Sequence, residues 1–157
     1  MVTFRPSAAD AADAHELLAE YFASRVVGFA EQSVVYTTKF PDPAVFEPPA
    51  GVFVIAEDDD GPVGCGGIRA VPDGPRGVRY EVKHLYLRPR TRGRGWGRLL
   101  LDDLIARARE LGARELVLDT HHSLEAAAAL YARTGFAEIA PYNDNPNASR
   151  WYALALD

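Results

Sequence analysis

Apolar positions along the chain recur with two different periods, and each change of period marks an element. Residues 2–5 predict a first strand, ended by Pro6. Ala11, Ala14, Leu17, Leu18, Tyr21 and Phe22 then follow helical spacing, behind Ser7 and Asp10, which imitate a capping box. From residue 25 to 49 the period breaks down among aromatics and prolines, which predicts a long irregular connection. Residues 52–57 alternate into a strand, Asp58-Asp59-Asp60-Gly61 predicts a turn, and residues 63–71 a return strand. Gly64, Gly66 and Gly67 mark a bulge or close packing in that return strand, and residues 72–77 predict another turn. Tyr80, Val82, Leu85, Tyr86 and Leu87 form a β-branched and aromatic run stopped by Pro89. Leu100, Leu101, Leu104, Ile105, Ala108 and Leu111 return to helical spacing, with Gly112 as the stop. Residues 114–120 are a near-continuous apolar strand. Ser123 is expected to cap a helix that Gly135 ends, and two closing strands flank the loop PYNDNPNA.

A strand, a helix and a second strand imply a right-handed crossover, so residues 82–87 and 116–118 should run parallel and adjacent. The expected fold class is α/β of the mixed α+β kind, in a single domain over residues 1–157 without internal repeats. Between the central strand and its helix lies Arg92-Gly93-Arg94-Gly95-Trp96-Gly97. Glycines let backbone approach a ligand, and the first helical turn leaves N–H groups unpaired at the positive end of the dipole. Together they predict an anion cradle. The stretch lacks the G-K-[ST] of a P-loop, and it follows a mid-chain strand, whereas a dinucleotide fingerprint follows the first strand of its unit.

Arg92-x-x-Gly95-x-Gly97, after a strand ending in Leu85-Tyr86-Leu87, resembles motif A of the GNAT superfamily of acetyl-CoA-dependent N-acetyltransferases. Leu130-Tyr131-Ala132-Arg133-Thr134-Gly135-Phe136 is similar to that family's second conserved block. The resemblance implies a mostly antiparallel sheet of about six to seven strands flanked by about four helices. It also implies a parallel strand pair splayed to hold the cofactor, with acetyl-CoA as co-substrate. The cofactor contacts it implies are Leu85, Tyr86, Leu87, Arg92, Gly93, Arg94, Gly95, Trp96, Gly97 and Arg98. One backbone N–H of residues 85–87 would polarise the acetyl carbonyl. Tyr131 matches the family tyrosine that protonates the coenzyme sulfur; a core aromatic is the alternative. Several relatives hold the pantetheine arm with an asparagine where this chain has Leu124.

Composition narrows the partners. The 157 residues are 48% hydrophobic and 25% charged, ordinary for a globular protein, and no apolar run reaches membrane-spanning length. The first residues lack the pattern of a signal peptide, and the one cysteine, Cys65, suits a reducing compartment, so the expected location is cytoplasmic. Cys65 reads as a buried strand residue. Net charge is −5, yet Arg88, Arg90, Arg92, Arg94 and Arg98 crowd one turn. That cluster suits a compact multi-phosphate ligand, and the acidic remainder would repel a nucleic acid. Asp58, Asp59 and Asp60 read as a solvated turn, without the oxygen ligands of a metal site. Neither a nucleic acid nor a membrane is an expected partner, and a homodimer stays open.

Acetyl transfer to an amine needs an uncharged nitrogen, a polarised thioester carbonyl and a protonated leaving thiolate. A primary amine is mostly cationic at neutral pH, so a general base is expected. Glu81 stands four residues before Leu85, where the histone-acetyltransferase branch of the resembled family keeps its glutamate; the alternative is a salt bridge to Lys83. Asp119, at the end of the next strand, matches the acid of another branch. His121 and His122 read as loop residues. In the resembled family the region of residues 25–49 walls the substrate side, which makes Glu31, Tyr36 and Lys39 acceptor-facing candidates or plain loop residues. The expected function is an N-acetyltransferase acting on a small-molecule primary amine in a direct ternary complex. A protein N-terminal or lysine acetyltransferase and a non-catalytic acyl-CoA sensor stay as alternatives.

Overall fold

The strands lie as they do because short turns force antiparallel returns and one long crossover forces a parallel one. In the computed structural model, which describes residues 1–31, 35–36 and 38–156, β1 (Thr3–Pro6) is followed by α1 (Ala12–Glu31). A hairpin at Asp59-Asp60 joins β2 (Gly51–Asp58) to β3 (Gly61–Gly74), which turns directly into β4 (Gly77–Leu87). Then come α2 (Trp96–Glu110), β5 (Glu115–Thr120), α3 (Glu125–Thr134), β6 (Ala137–Ile139) and β7 (Arg150–Ala155). The seven strands form one sheet in the order β1-β2-β3-β4-β5-β7-β6. Only the β4–β5 pair is parallel, as the crossover requires.

Alternation along β2 divides the core. Val52 and Val54 face Leu100, Leu101, Leu104 and Ala108 of α2, while Phe53 and Ile55 face Leu17, Leu18 and Phe22 of α1. Each leucine buried in this way stabilises the fold by about 1.5–3 kcal/mol. A side chain at Gly67 could not be accommodated, since a Cβ there would stand 2.6 Å from the Phe46 ring. Gly112 and Gly135 end α2 and α3 in the left-handed region, at φ +87° and +102°.

Four elements differ from the expectations. Helix α1 runs on through residues 25–31, where no period was visible, because Phe22 and Phe29 share a buried stripe although Val26 and Val27 are exposed. The described residues contain three α-helices, where about four were expected, together with short 3-10 turns at Pro43–Phe46 and Pro89–Thr91. Ser123 does not cap α3; its hydroxyl is bonded to His121 Nδ1 at 2.7 Å, and Leu124 takes the cap position without a side-chain bond. The predicted turn at residues 72–77 shrinks to its tip, between Gly74 and Gly77. Residues 32–34 and 37 of the 25–49 connection lie outside the described residues. Among the described residues no helix is long and apolar enough to cross a membrane.

Candidate active site

β4 and β5 pair only from Arg79↔Glu115 to Glu81↔Val117 and then part. Two features accompany the separation. Opposite Cys65–Gly67 the β3–β4 register slips, and His84 carries φ +59°, a left-handed conformation at the bulge. The gap opens into a cleft of about 550 Å³. Val82, Lys83, His84 and Leu85 line one side and Leu118, Asp119, Thr120 and His121 the other, with Tyr131 of α3 across from them.

His84 bears the strain of this opening. Its Nδ1 is sealed from solvent without a hydrogen-bond partner among the described residues, and burial, with help from Lys83 and Arg69, pushes its pKa down to about 3. The ring therefore stays neutral. Asparagine tolerates the left-handed region and β-branched residues do not. Both substitutions lose the ring contacts to Tyr21, Phe22 and Phe46, and in urea unfolding His84→Val should be less stable than His84→Asn by about 1–3 kcal/mol; equal stabilities would show that the bulge relaxes at no cost.

Beside the bulge the charges are matched. Glu81 is fully buried, and its Oε1 accepts from Arg69 Nε at 2.9 Å and Nη2 at 2.9 Å. Its Oε2 accepts from the Tyr142 hydroxyl at 2.6 Å and from Asn143 at 3.5 Å. Lys83 lies 3.7 Å from Glu81 but donates to Asp119 at 2.8 Å. Asn143 also donates to Asp119 at 2.7 Å and is itself held by the Trp151 indole at 2.8 Å. Burial alone pushes the Asp119 carboxyl up; Lys83 and the asparagine bonds outweigh it and hold the group below the ordinary carboxylate value. For Tyr142, burial and then the Glu81 charge push the phenol up.

Tyr131 is buried, its ring 5.9 Å from those of Phe136 and Tyr152. Its hydroxyl has no hydrogen-bond partner among the described residues, and burial holds it in the protonated form. At the far end of β4 the turn into α2 carries Gly95 at φ +77°, with no atom within 4 Å of a Cβ built there. Of the crowded arginines, Arg88 is held by Glu20 and Glu16, Arg90 by Asp58 and Arg98 by Asp102. Arg92 and Arg94 are exposed and form no ion pair among the described residues; Arg94 lies 5.2 Å over Trp96. N–H groups of Trp96, Gly97 and Arg98 begin the helix without a carbonyl one turn back. This open, cationic turn fits a phosphate-bearing ligand.

The model of the Acetyltransferase (GNAT) family matches residues 11–136. The chain belongs to this family. An uncharacterized N-acetyltransferase of Schizosaccharomyces pombe is 38% identical over 102 residues, 64% of this chain and 61% of that relative. The chain thus spans less than two-thirds of that relative's length. A Klebsiella pneumoniae crystal structure assigned as an acyl-CoA N-acyltransferase superposes with a TM-score of 0.75 at 28% identity, covering 100% of this chain and 99% of that one. A GNAT family acetyltransferase of Elizabethkingia anophelis, solved with acetyl-CoA bound, shares the fold with a TM-score of 0.67 at 18% identity, covering 99% of this chain and 98% of that one.

Within this GNAT fold the expected site residues fall into distinct places. Tyr131, Leu85 and Asp119 share the cleft. Tyr86 and Leu87 carry β4 onward to the Arg92–Arg98 turn, and the Tyr86 hydroxyl bonds Glu20 on α1 at 3.2 Å. Glu81 is not on the cleft wall, because Arg69, Tyr142 and Asn143 enclose it. Leu124 does line the cleft, as do Tyr36 and Lys39, while Glu31 does not. His121 is buried against Phe29 and His122, and burial lowers its pKa. Cys65 is fully buried, its thiol pushed up by burial and 3.5 Å from the His84 carbonyl. Sequence reasoning missed Arg69, Tyr142 and Asn143. The only signal was Arg69 and Glu81 standing as charges inside otherwise apolar strands; the loop of residues 141–148 gave none.

Proposed function

We propose that this chain transfers the acetyl group of acetyl-CoA to the primary amine of a small molecule, directly within a ternary complex and in the cytosol. The observation that carries the reading is the meeting, in one cleft, of Tyr131, the β4 edge at Leu85 that β5 leaves unpaired, and the ionised Asp119; the open Gly95 turn follows β4 in the chain. Bound acetyl-CoA supplies an activated thioester. Residues 92–98 would hold its phosphates through backbone N–H groups, Arg92 and Arg94. A Leu85–Leu87 backbone N–H would polarise the carbonyl. Tyr131 would donate its proton toward the leaving sulfur. A covalent acyl-enzyme has no support here, since Cys65 is sealed in the core and held as a thiol.

For the acceptor proton we assign Asp119 and not Glu81. Both carboxylates receive hydrogen bonds from the protein, so access decides between them, and Glu81 does not line the cleft. Asp119 does, and Lys83 keeps it ionised, so the acid limb of activity belongs to the amine. Asp119→Asn should lower kcat/KM at neutral pH and partly recover at high pH, where free amine is abundant. Glu81→Gln should instead lower stability by about 1–3 kcal/mol through the buried Arg69 contact. High-pH recovery in Glu81→Gln alone would reverse the assignment. Transfer itself is tested by thiol release from acetyl-CoA across an amine panel; no release with any small amine, alongside acetylation of a peptide amine, would move the acceptor to the protein class.

A further inference from the structure

The acceptor side of the cleft is asymmetric in charge. Lys83 and Arg69 are taken up by Asp119 and Glu81. Arg25 and Lys39 also line the cleft, and neither forms an ion pair with a carboxylate among the described residues. Arg25 is half-buried and held over the Tyr21 ring, 4.8 Å from its centroid, so its direction is fixed where a solvated surface arginine would wander. The acids of the lining are Asp119, Asp42 and Asp144. Asp42 is spent capping a 3-10 turn through the Ala44 N–H at 3.0 Å, and Asp144 is exposed.

Arg25 and Asp119 both act electrostatically, with opposite sign, on the hydroxyls of Tyr131 and Tyr36. A cation and an anion therefore line the same cleft as these two phenols. The same cleft is lined by aromatic surface: half-buried Tyr36, and Phe40, which is 41% exposed although it stacks on His15 and meets Phe22 edge-on. A neutral amine would leave Arg25 facing the cleft unpaired once water is excluded.

We infer that the acceptor is an amino acid with an apolar or aromatic side chain, its carboxylate taken by Arg25 with Lys39 at the rim, its amine directed to Asp119 and its side chain against Tyr36 and Phe40. The inference rests on the acetyl-transfer reading only for the amine's fate. Guanidinium is suited to this role because its donors match a carboxylate bidentately.

The test compares L-phenylalanine with phenethylamine, which differ by the carboxylate alone. Binding to the CoA-loaded protein is measured by calorimetry, and turnover by thiol release. Wild type should favour phenylalanine by about ten- to a hundredfold in Kd and KM, the range of a charge-assisted hydrogen bond. Arg25→Gln should bring that ratio toward one through Kd and KM, and Arg25→Lys should retain part of it. Arg109→Gln, at the far end of α2, should keep the wild-type ratio, and thermal melting confirms that each variant is folded. Equal affinity for the two ligands, no binding of phenylalanine, or a ratio unchanged in Arg25→Gln overturns the inference. A carboxylate-dependent affinity without thiol release supports it and removes the transfer reading instead.

Discussion

Tyr131→Phe is expected to lower the single-turnover rate by about 10²- to 10⁴-fold, the range for losing a positioned acid, while the protein keeps its fold and its affinity for acetyl-CoA. The separation of these readouts follows from the geometry. The ring packs against Phe136 and Tyr152 and phenylalanine keeps that packing. The hydroxyl forms no hydrogen bond among the described residues, so its removal breaks none and the melting temperature should hold. Burial keeps the phenol protonated, which makes the proton available but hard to release; Arg25, whose charge favours the ionised form, offsets part of that cost. A donor of this kind contributes only while a thiolate is forming beside it, so its loss should appear in the chemical step. Quenched-flow measurement with saturating acetyl-CoA isolates that step from product release. An unchanged rate would make Tyr131 a core residue and favour a non-catalytic acyl-CoA-binding protein.

How far the sequence carried depended on whether a residue's role is local. The Gly95 turn was legible because a strand, a positive-φ residue and a helix start are all written within a few consecutive positions. The parallel direction of β4 and β5 was legible because a strand–helix–strand crossover has one favoured hand, whereas its place was not: the strands pair at residues 79–81 and 115–117 and part over the expected 82–87. Phe29 was not, since one buried aromatic among Val26, Val27 and Gly28 gives no visible period, and the face it covers is set by the sheet. The Arg69–Glu81–Tyr142 cluster was illegible for another reason. Its members come from β3, β4 and the loop before β7, and only the folded sheet shows that Asn143 reaches both carboxylates. The same placement decides between the two acids. Both stand in strands of similar composition, and the difference in their access is created by residues 12 or more positions away in the chain.

Gly95→Asp should raise the Kd for CoA by at least about a hundredfold, or 2.7 kcal/mol, with little effect on folding. Gly95 is the cap of α2 at φ +77°, a region that aspartate and asparagine tolerate better than other residues. No atom lies within 4 Å of a Cβ built at this position, so the new side chain meets no protein wall. What it meets is the space in front of the Trp96, Gly97 and Arg98 N–H groups, where the phosphates are proposed to sit. A carboxylate there competes for the same donors and repels the ligand; two unit charges 4 Å apart near a protein surface interact by about 4 kcal/mol before salt screening. Gly95→Asn separates the contributions, since it has nearly the same size and backbone preference without the charge, and it should cost about tenfold. Arg92→Ala should cost less than Gly95→Asp, because the backbone donors remain. Calorimetry at two salt concentrations reads the electrostatic share, the Asp–Asn gap narrowing as ionic strength rises. Wild-type affinity in Gly95→Asp would place the phosphates elsewhere and detach the Gly95 turn from the cofactor.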